Sequence, residues 1–144
     1  RLSLVGSEMC IRDSQYRYAI GEYIYEFPAG LVESNEEFHE GAVREMYEET
    51  GLKFTPLKVD PAFEKPYFTT VGMTDESCAT VYGYAEGEIS KDAQEDTEEI
   101  EVVLADREEV KRILREENVA IMCAYQLMHF LQDEEPFAFL KEEL

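Results

Sequence analysis

The sequence predicts an α/β/α sandwich, helices on both faces of a mixed β-sheet, and three observations carry that prediction. Strand-like and helix-like segments interleave along the chain instead of segregating into halves. A helix over residues 35–50 places Phe38, Ala42, Val43 and Met46 on one apolar stripe able to pack on a sheet. A second helix over 120–132 is apolar almost all round, which predicts that it is buried. With 144 residues, no internal repeat and no linker, the chain is long enough for one domain with a core of its own.

Taken in order, residues 1–14 are set aside. The stretch 4–14 back-translates into a transposon-end adaptor used in DNA library preparation, so it is treated as non-native and the domain is taken as 15–144. On that expectation the domain is truncated at its N-terminus and its authentic start lies upstream. Residues 23–27 are aromatic and β-branched, a short strand leading into the turn Pro28, Ala29, Gly30. Ser34 and Glu37 have the spacing of a capping box, which predicts a helix from about Asn35. Gly51 is its natural C-cap.

Residues 58–63 and 78–85 read as strands, with a loop over 65–76 between them. Residues 86–99 are acidic and polar, hence an exposed loop, and 100–104 read as a further strand. Asp106 caps a helix through about Glu117. The alternating Tyr16, Tyr18, Tyr23 and Tyr25 fit sheet packing better than base stacking.

Composition narrows the function. There are 33 acidic and 13 basic side chains, a formal charge of −20. That balance argues against nucleic acid and anionic membrane as partners, since both demand lysine and arginine footprints. Cys10, Cys78 and Cys123 show no C-x-x-C spacing, so neither a disulfide framework nor a zinc site is indicated. Buried, inert thiols in a reducing, cytoplasmic setting are the expectation. No apolar run approaches the ~20 residues a bilayer span needs.

The chemistry concentrates at the end of the first helix. Glu45, Glu48 and Glu49 sit at i, i+3 and i+4, so they project from one side. Like charges at that spacing destabilise a helix, and Glu48 and Glu49 lie where the backbone dipole disfavours anions. A solvated acidic face explains neither that placement nor the apolar border beside Glu45 and Glu49. Gripping a hard divalent cation through oxygen ligands explains both. Arg44, one turn before Glu48, is placed to pair with it. His39 and His129 are poor candidates for a base; hydrogen-bonded, partly buried rings are the better reading.

These residues resemble the Nudix box: glycine, five residues, glutamate, seven residues, then R-E-U-x-E-E-x-G-U with U apolar. The constrained positions are Gly30, Glu36, Arg44, Glu45, Met46, Glu48, Glu49, Gly51 and Leu52, a match at nine positions and so a specific one. Residues 15–30 are further similar to the Q-F/Y-R…P-A-G segment of the ADP-ribose pyrophosphatase subgroup.

The resemblance implies a Nudix-type sandwich and Mg²⁺-dependent hydrolysis of a pyrophosphate bond, with Mn²⁺ as the alternative ion. The implied substrate is ADP-ribose, giving AMP and ribose 5-phosphate. Other nucleotide sugars, dinucleotides or nucleoside triphosphates are the alternatives within the family, and a non-catalytic ADP-ribose-binding module lies outside catalysis. It implies Glu45, Glu48, Glu49 and the Ala29 carbonyl as metal ligands, with Glu48 also in the catalytic set. It implies Arg17, Gly30, Leu31 and Glu76 at the substrate, and a homodimer. A carboxylate from the acidic loop is implied as base, Glu98 first and Asp96 second. One departure concerns the substrate: where the subgroup carries a proline before glycine downstream of the box, this chain has Val71 before Gly72.

Overall fold

In a computed structural model the backbone is described over residues 2–5, 8–17, 20–28, 35–90, 101–133, 135 and 137–144, and side chains from residue 20 onward. The main sheet has six strands: β1 (Leu2–Val5), β2 (Glu8–Arg17), β3 (Glu22–Glu26), β4 (Lys53–Pro56), β7 (Tyr82–Glu86) and β8 (Glu101–Ala105). Its order is β3-β2-β1-β7-β4, with β8 on β2. β1 and β7 run parallel and the other pairs antiparallel, the mixed sheet that was predicted. Two short strands, β5 (Tyr67–Phe68) and β6 (Ser77–Cys78), form a separate antiparallel hairpin.

Side-chain alternation along β7 and β8 builds a core on each face. On one side α1 (Phe38–Thr50) lays Ala42 and Met46 against Leu52, Phe54, Val81 and Ala85, bordered by Val102 and Leu104. On the other, Tyr82 and Ala105 pack with Val110 and Ile113 of α3 (Arg107–Glu116) and Cys123 and Leu127 of α4 (Ile121–Gln132). Phe137 and Leu140 close that side, Leu140 from the 3-10 turn Ala138–Lys141. Gly83 is required in β7 because a Cβ there would lie 2.4 Å from the Thr55 carbonyl oxygen and 2.5 Å from the Phe54 ring.

Several expectations need correction. The first helix begins at Phe38, not near Asn35. Its cap is Glu37, whose carboxylate accepts from the His39 N–H at 3.0 Å. Glu36 precedes that cap, with its carboxylate bonded to Arg44; Ser34 lies outside the described residues. No strand covers 58–63: β4 ends at Pro56, and α2 (Pro61–Glu64) follows, capped by Asp60 accepting from Ala62 N–H at 2.9 Å. Aspartate followed by proline at the first helical position was the overlooked local signal.

The expected strand 78–85 is two strands in different sheets, and the expected loop 65–76 contains β5. The second predicted helix is present but is not buried all round. Only Cys123 and Leu127 are buried, while Ile121, Tyr125 and Met128 are half or more exposed, because one stripe alone meets the sheet and α3. The segment 1–14, set aside above, supplies β1 and much of β2; backbone pairing of this kind is open to any sequence and carries no information about origin.

Asp106 does cap α3, accepting from Glu109 N–H at 2.9 Å. Replacing Asp106 with Ala is expected to cost about 1 kcal/mol of stability, read as a lowered urea midpoint with unchanged slope. Tyr25 N–H and C=O bond to Asn118 O and Ala120 N–H, tying β3 to the α3–α4 connection.

Candidate active site

Helix α1 presents the predicted glutamates with graded exposure. Glu49 is 3% exposed, Glu45 has 13% of its side chain exposed, and Glu48 has 42%. That gradient follows from the wheel: Met46 and Ala42 point into the core, Glu49 and Glu45 flank them, and Glu48 turns away.

Arg44 organises the cluster. Its guanidinium grips Glu36 bidentately, Nε to Oε2 at 2.9 Å and Nη2 to Oε1 at 2.8 Å. Nη1 donates to Glu45 Oε1 and to Glu48 Oε2, both at 3.1 Å. The Glu36 hydrogen bonds, then those to Glu48 and the Glu45 charge, raise the Arg44 pKa further against partial desolvation. Pairing of Arg44 with Glu48 was expected; Glu36 as its principal partner was not. Eight residues separate them, a spacing no helical rule connects, so only the box pattern marked Glu36.

The helix end is fixed by several bonds. Gly51 takes a left-handed conformation (φ 79°), and its N–H donates to Tyr47 O at 2.8 Å. Thr50 Oγ1 donates to Met46 O at 2.6 Å and accepts from Leu52 N–H at 3.1 Å. Ser90 N–H donates to Thr50 O at 2.8 Å, and a Cβ on Gly51 would meet the Ser90 Cβ at 2.7 Å.

Of the other predicted site residues, Ala29, Gly30, Leu31, Asp96 and Glu98 lie outside the described residues. Arg17 ends β2, with its backbone paired to Glu22. Glu76 is exposed on the β5–β6 hairpin. Its N–H bonds Thr74 Oγ1 and its carboxylate lies 3.6 Å from Cys78 Sγ; among the described residues it makes no hydrogen bond to α1. His39 is hydrogen-bonded and partly buried as expected, but His129 is exposed and stacks on Phe139 with centroids 4.7 Å apart. Burial pushes the Cys123 thiol up to about 12, which makes it inert as read; burial, with Glu76, also raises that of half-buried Cys78.

The donor set of α1 suits a hard divalent cation: carboxylate oxygens only, two of the three groups largely removed from water. Among the described residues no three acidic, histidine or cysteine side chains are already grouped as ion ligands, and Glu45 and Glu48 are both bonded to Arg44. Glu45, Glu48 and Glu49 are carboxylates that could hold such an ion. Among the described residues no helix is long and apolar enough to cross a membrane.

Comparison with known proteins bears on the family and the fold. A mouse ADP-sugar pyrophosphatase is 42% identical over 55 residues, 38% of this chain and 25% of that protein. A Caenorhabditis elegans protein provisionally named nudix hydrolase 2 is 32% identical over 98 residues, 65% of this chain and 43% of that protein. The chain thus spans less than half the length of these curated relatives. Among solved structures, a NUDIX hydrolase from Nitrosomonas europaea aligns with TM-score 0.68 at 17% identity, covering 91% of this chain and 84% of that one. A crystal structure of an ADP compounds hydrolase has the same TM-score and identity, covering 91% of this chain and 68% of that one. At such identity these two show the fold alone. The NUDIX domain family model matches residues 10–125, and the chain belongs to that family.

Proposed function

We propose that the protein hydrolyses the pyrophosphate bond of a nucleoside diphosphate derivative, ADP-ribose first, to AMP and ribose 5-phosphate, in a Mg²⁺-dependent reaction. The observation that carries the reading is the graded burial of Glu45, Glu48 and Glu49 on one helix beside Arg44. The names of two relatives, an ADP-sugar pyrophosphatase and an ADP compounds hydrolase, support an ADP-containing substrate.

When bound, Mg²⁺ (or Mn²⁺) supplies charge neutralisation and polarises the phosphoryl oxygens. The chain's residues do the remainder. Glu45, Glu48, Glu49 and the Ala29 carbonyl form the ligand set, and without a cation a protein of charge −20 repels a diphosphate. Arg17 clamps a phosphate as a charged fork, with Gly30, Leu31 and Glu76 about the substrate. Glu98, or Asp96 as the second candidate, takes a proton from water as its oxygen attacks phosphorus and the anhydride P–O bond breaks.

A cytoplasmic homodimer completes the proposal. Val71 in place of the subgroup's proline makes other nucleotide sugars, dinucleotides and triphosphates the necessary comparison substrates. The test is hydrolysis of that panel, with and without Mg²⁺. ADP-ribose is expected to turn over fastest, with activity lost on chelation; metal-independent cleavage, or none of any diphosphate, overturns the reading. Changing Glu98 and Asp96 singly identifies which supplies the base.

A further inference from the structure

At the opposite end of α1 from its acid face, one titratable cluster joins two elements. His39 Nδ1 lies 2.9 Å from Glu37 Oε1, and its Nε2 lies 3.0 and 3.1 Å from the two Glu64 carboxylate oxygens. A neutral imidazole has one N–H and one lone pair, whereas ionised carboxylates only accept. Both ring nitrogens can donate only when the ring is the imidazolium. Glu64 has 12% of its side chain exposed and His39 34%, so the pairing is partly shielded from solvent. Partial burial works against the ring's charge, yet the bonds to Glu64 and Glu37 outweigh it and raise the His39 pKa above the usual value of about 6.5.

The charges bearing on the ring are those of Glu64 and Glu37; Phe38, packed with its ring centroid 4.4 Å away, carries none. On the far side, Glu64 raises the pKa of the buried Tyr82 hydroxyl, after the larger effect of burial and against the Gln126 hydrogen bond; the Tyr67 hydroxyl acts on it in the same direction.

Glu64 is the last residue of α2, and only Lys65 and Pro66 separate it from β5. The hairpin is secured to that helix: Tyr67 OH donates to Ala62 O at 2.8 Å, and Lys65 Nζ sits 5.0 Å from the Tyr67 ring centroid. The hairpin itself has two residues per strand and exposes Phe68, Val71 and Met73. A two-stranded ribbon of that kind is marginal in water, so its position depends on what anchors it. It carries Glu76, whose carbonyl accepts from Thr69 N–H at 3.1 Å.

We propose that His39 is a positioning residue whose doubly bonded ring ties α2, and through it the Glu76 hairpin, to the helix bearing Glu45, Glu48 and Glu49. The consequence for substrate rests on the function proposed above; the tether itself does not. Because the folded pKa is raised, the tether is complete below the unfolded value and is lost as pH rises through the higher folded value.

The test uses the full chain with His39→Gln and Glu64→Gln. NMR titration is expected to show the His39 pKa falling in Glu64→Gln. Amide protection of residues 67–78 is expected to drop as wild type passes the His39 pKa, and to be low and level across that interval in His39→Gln. With the diphosphate that the panel identifies, KM should rise about tenfold over the same interval, with kcat changing less, the scale of one charge-assisted hydrogen bond.

Unchanged hairpin protection in both variants overturns the tether even if hydrolysis is normal. Protection that follows His39 in a protein hydrolysing no diphosphate sustains the tether and removes the function reading instead. A KM unaffected by either variant, with protection altered, overturns the positioning of Glu76.

Discussion

Glu49→Gln is expected to lower turnover by about two to three orders of magnitude while the fold persists, with a thermal midpoint unchanged or raised. The side chain is 3% exposed at the C-terminal end of α1, beside Glu45 one turn earlier. Its charge costs stability there on two counts, the helix dipole and like-charge crowding. Glutamine keeps the shape and removes the charge, so stability has nothing to lose from relief of repulsion. Turnover has much to lose, because a neutral amide is a poor ligand for a hard cation and cannot neutralise it. A combined measurement of kcat against Mg²⁺ concentration and of thermal unfolding separates the two effects. Wild-type kcat at saturating Mg²⁺ in the variant would remove Glu49 from the ligand set.

That opposition between local cost and proposed use is also what made the acid cluster legible. Glu45, Glu48 and Glu49 break helical rules in a short window, and short windows are what a sequence exposes. Gly51 and Asp106 were readable for the same reason: each cap acts within one turn, and the structure bears both out. The Asp60–Pro61 start of α2 was equally local and was missed because the apolar and β-branched residues around it read as a strand.

Other features had no local signal. Whether Ile121, Tyr125 and Met128 are covered depends on what packs against α4, not on their own hydropathy, so an apolar helix was read as buried when half of it is not. The break between β6 and β7 depends on two sheets competing for one run of β-forming residues. The bonds from His39 to Glu64, across 25 positions, and from Arg44 to Glu36, across 8, arise from the path of the backbone between elements.

Arg44→Met is expected to destabilise the protein by about 2 kcal/mol, lowering the thermal midpoint by about 4–8 °C. The guanidinium neutralises Glu36 and Glu45, whose side chains are only 12% and 13% exposed, and it also holds Glu48. Removing it leaves carboxylates shielded from water without their counter-charge, the costly way to break a pair. The loss falls below that of a fully buried pair because 27% of the Arg44 side chain is itself solvated. Lysine should rescue little, since a point charge cannot reproduce the two-pronged contact with Glu36. Adding Glu36→Gln to Arg44→Met should recover part of the loss by removing the stranded charge, giving a double-mutant coupling well outside additivity. Strictly additive effects in urea unfolding would mean the Glu36 contact contributes nothing.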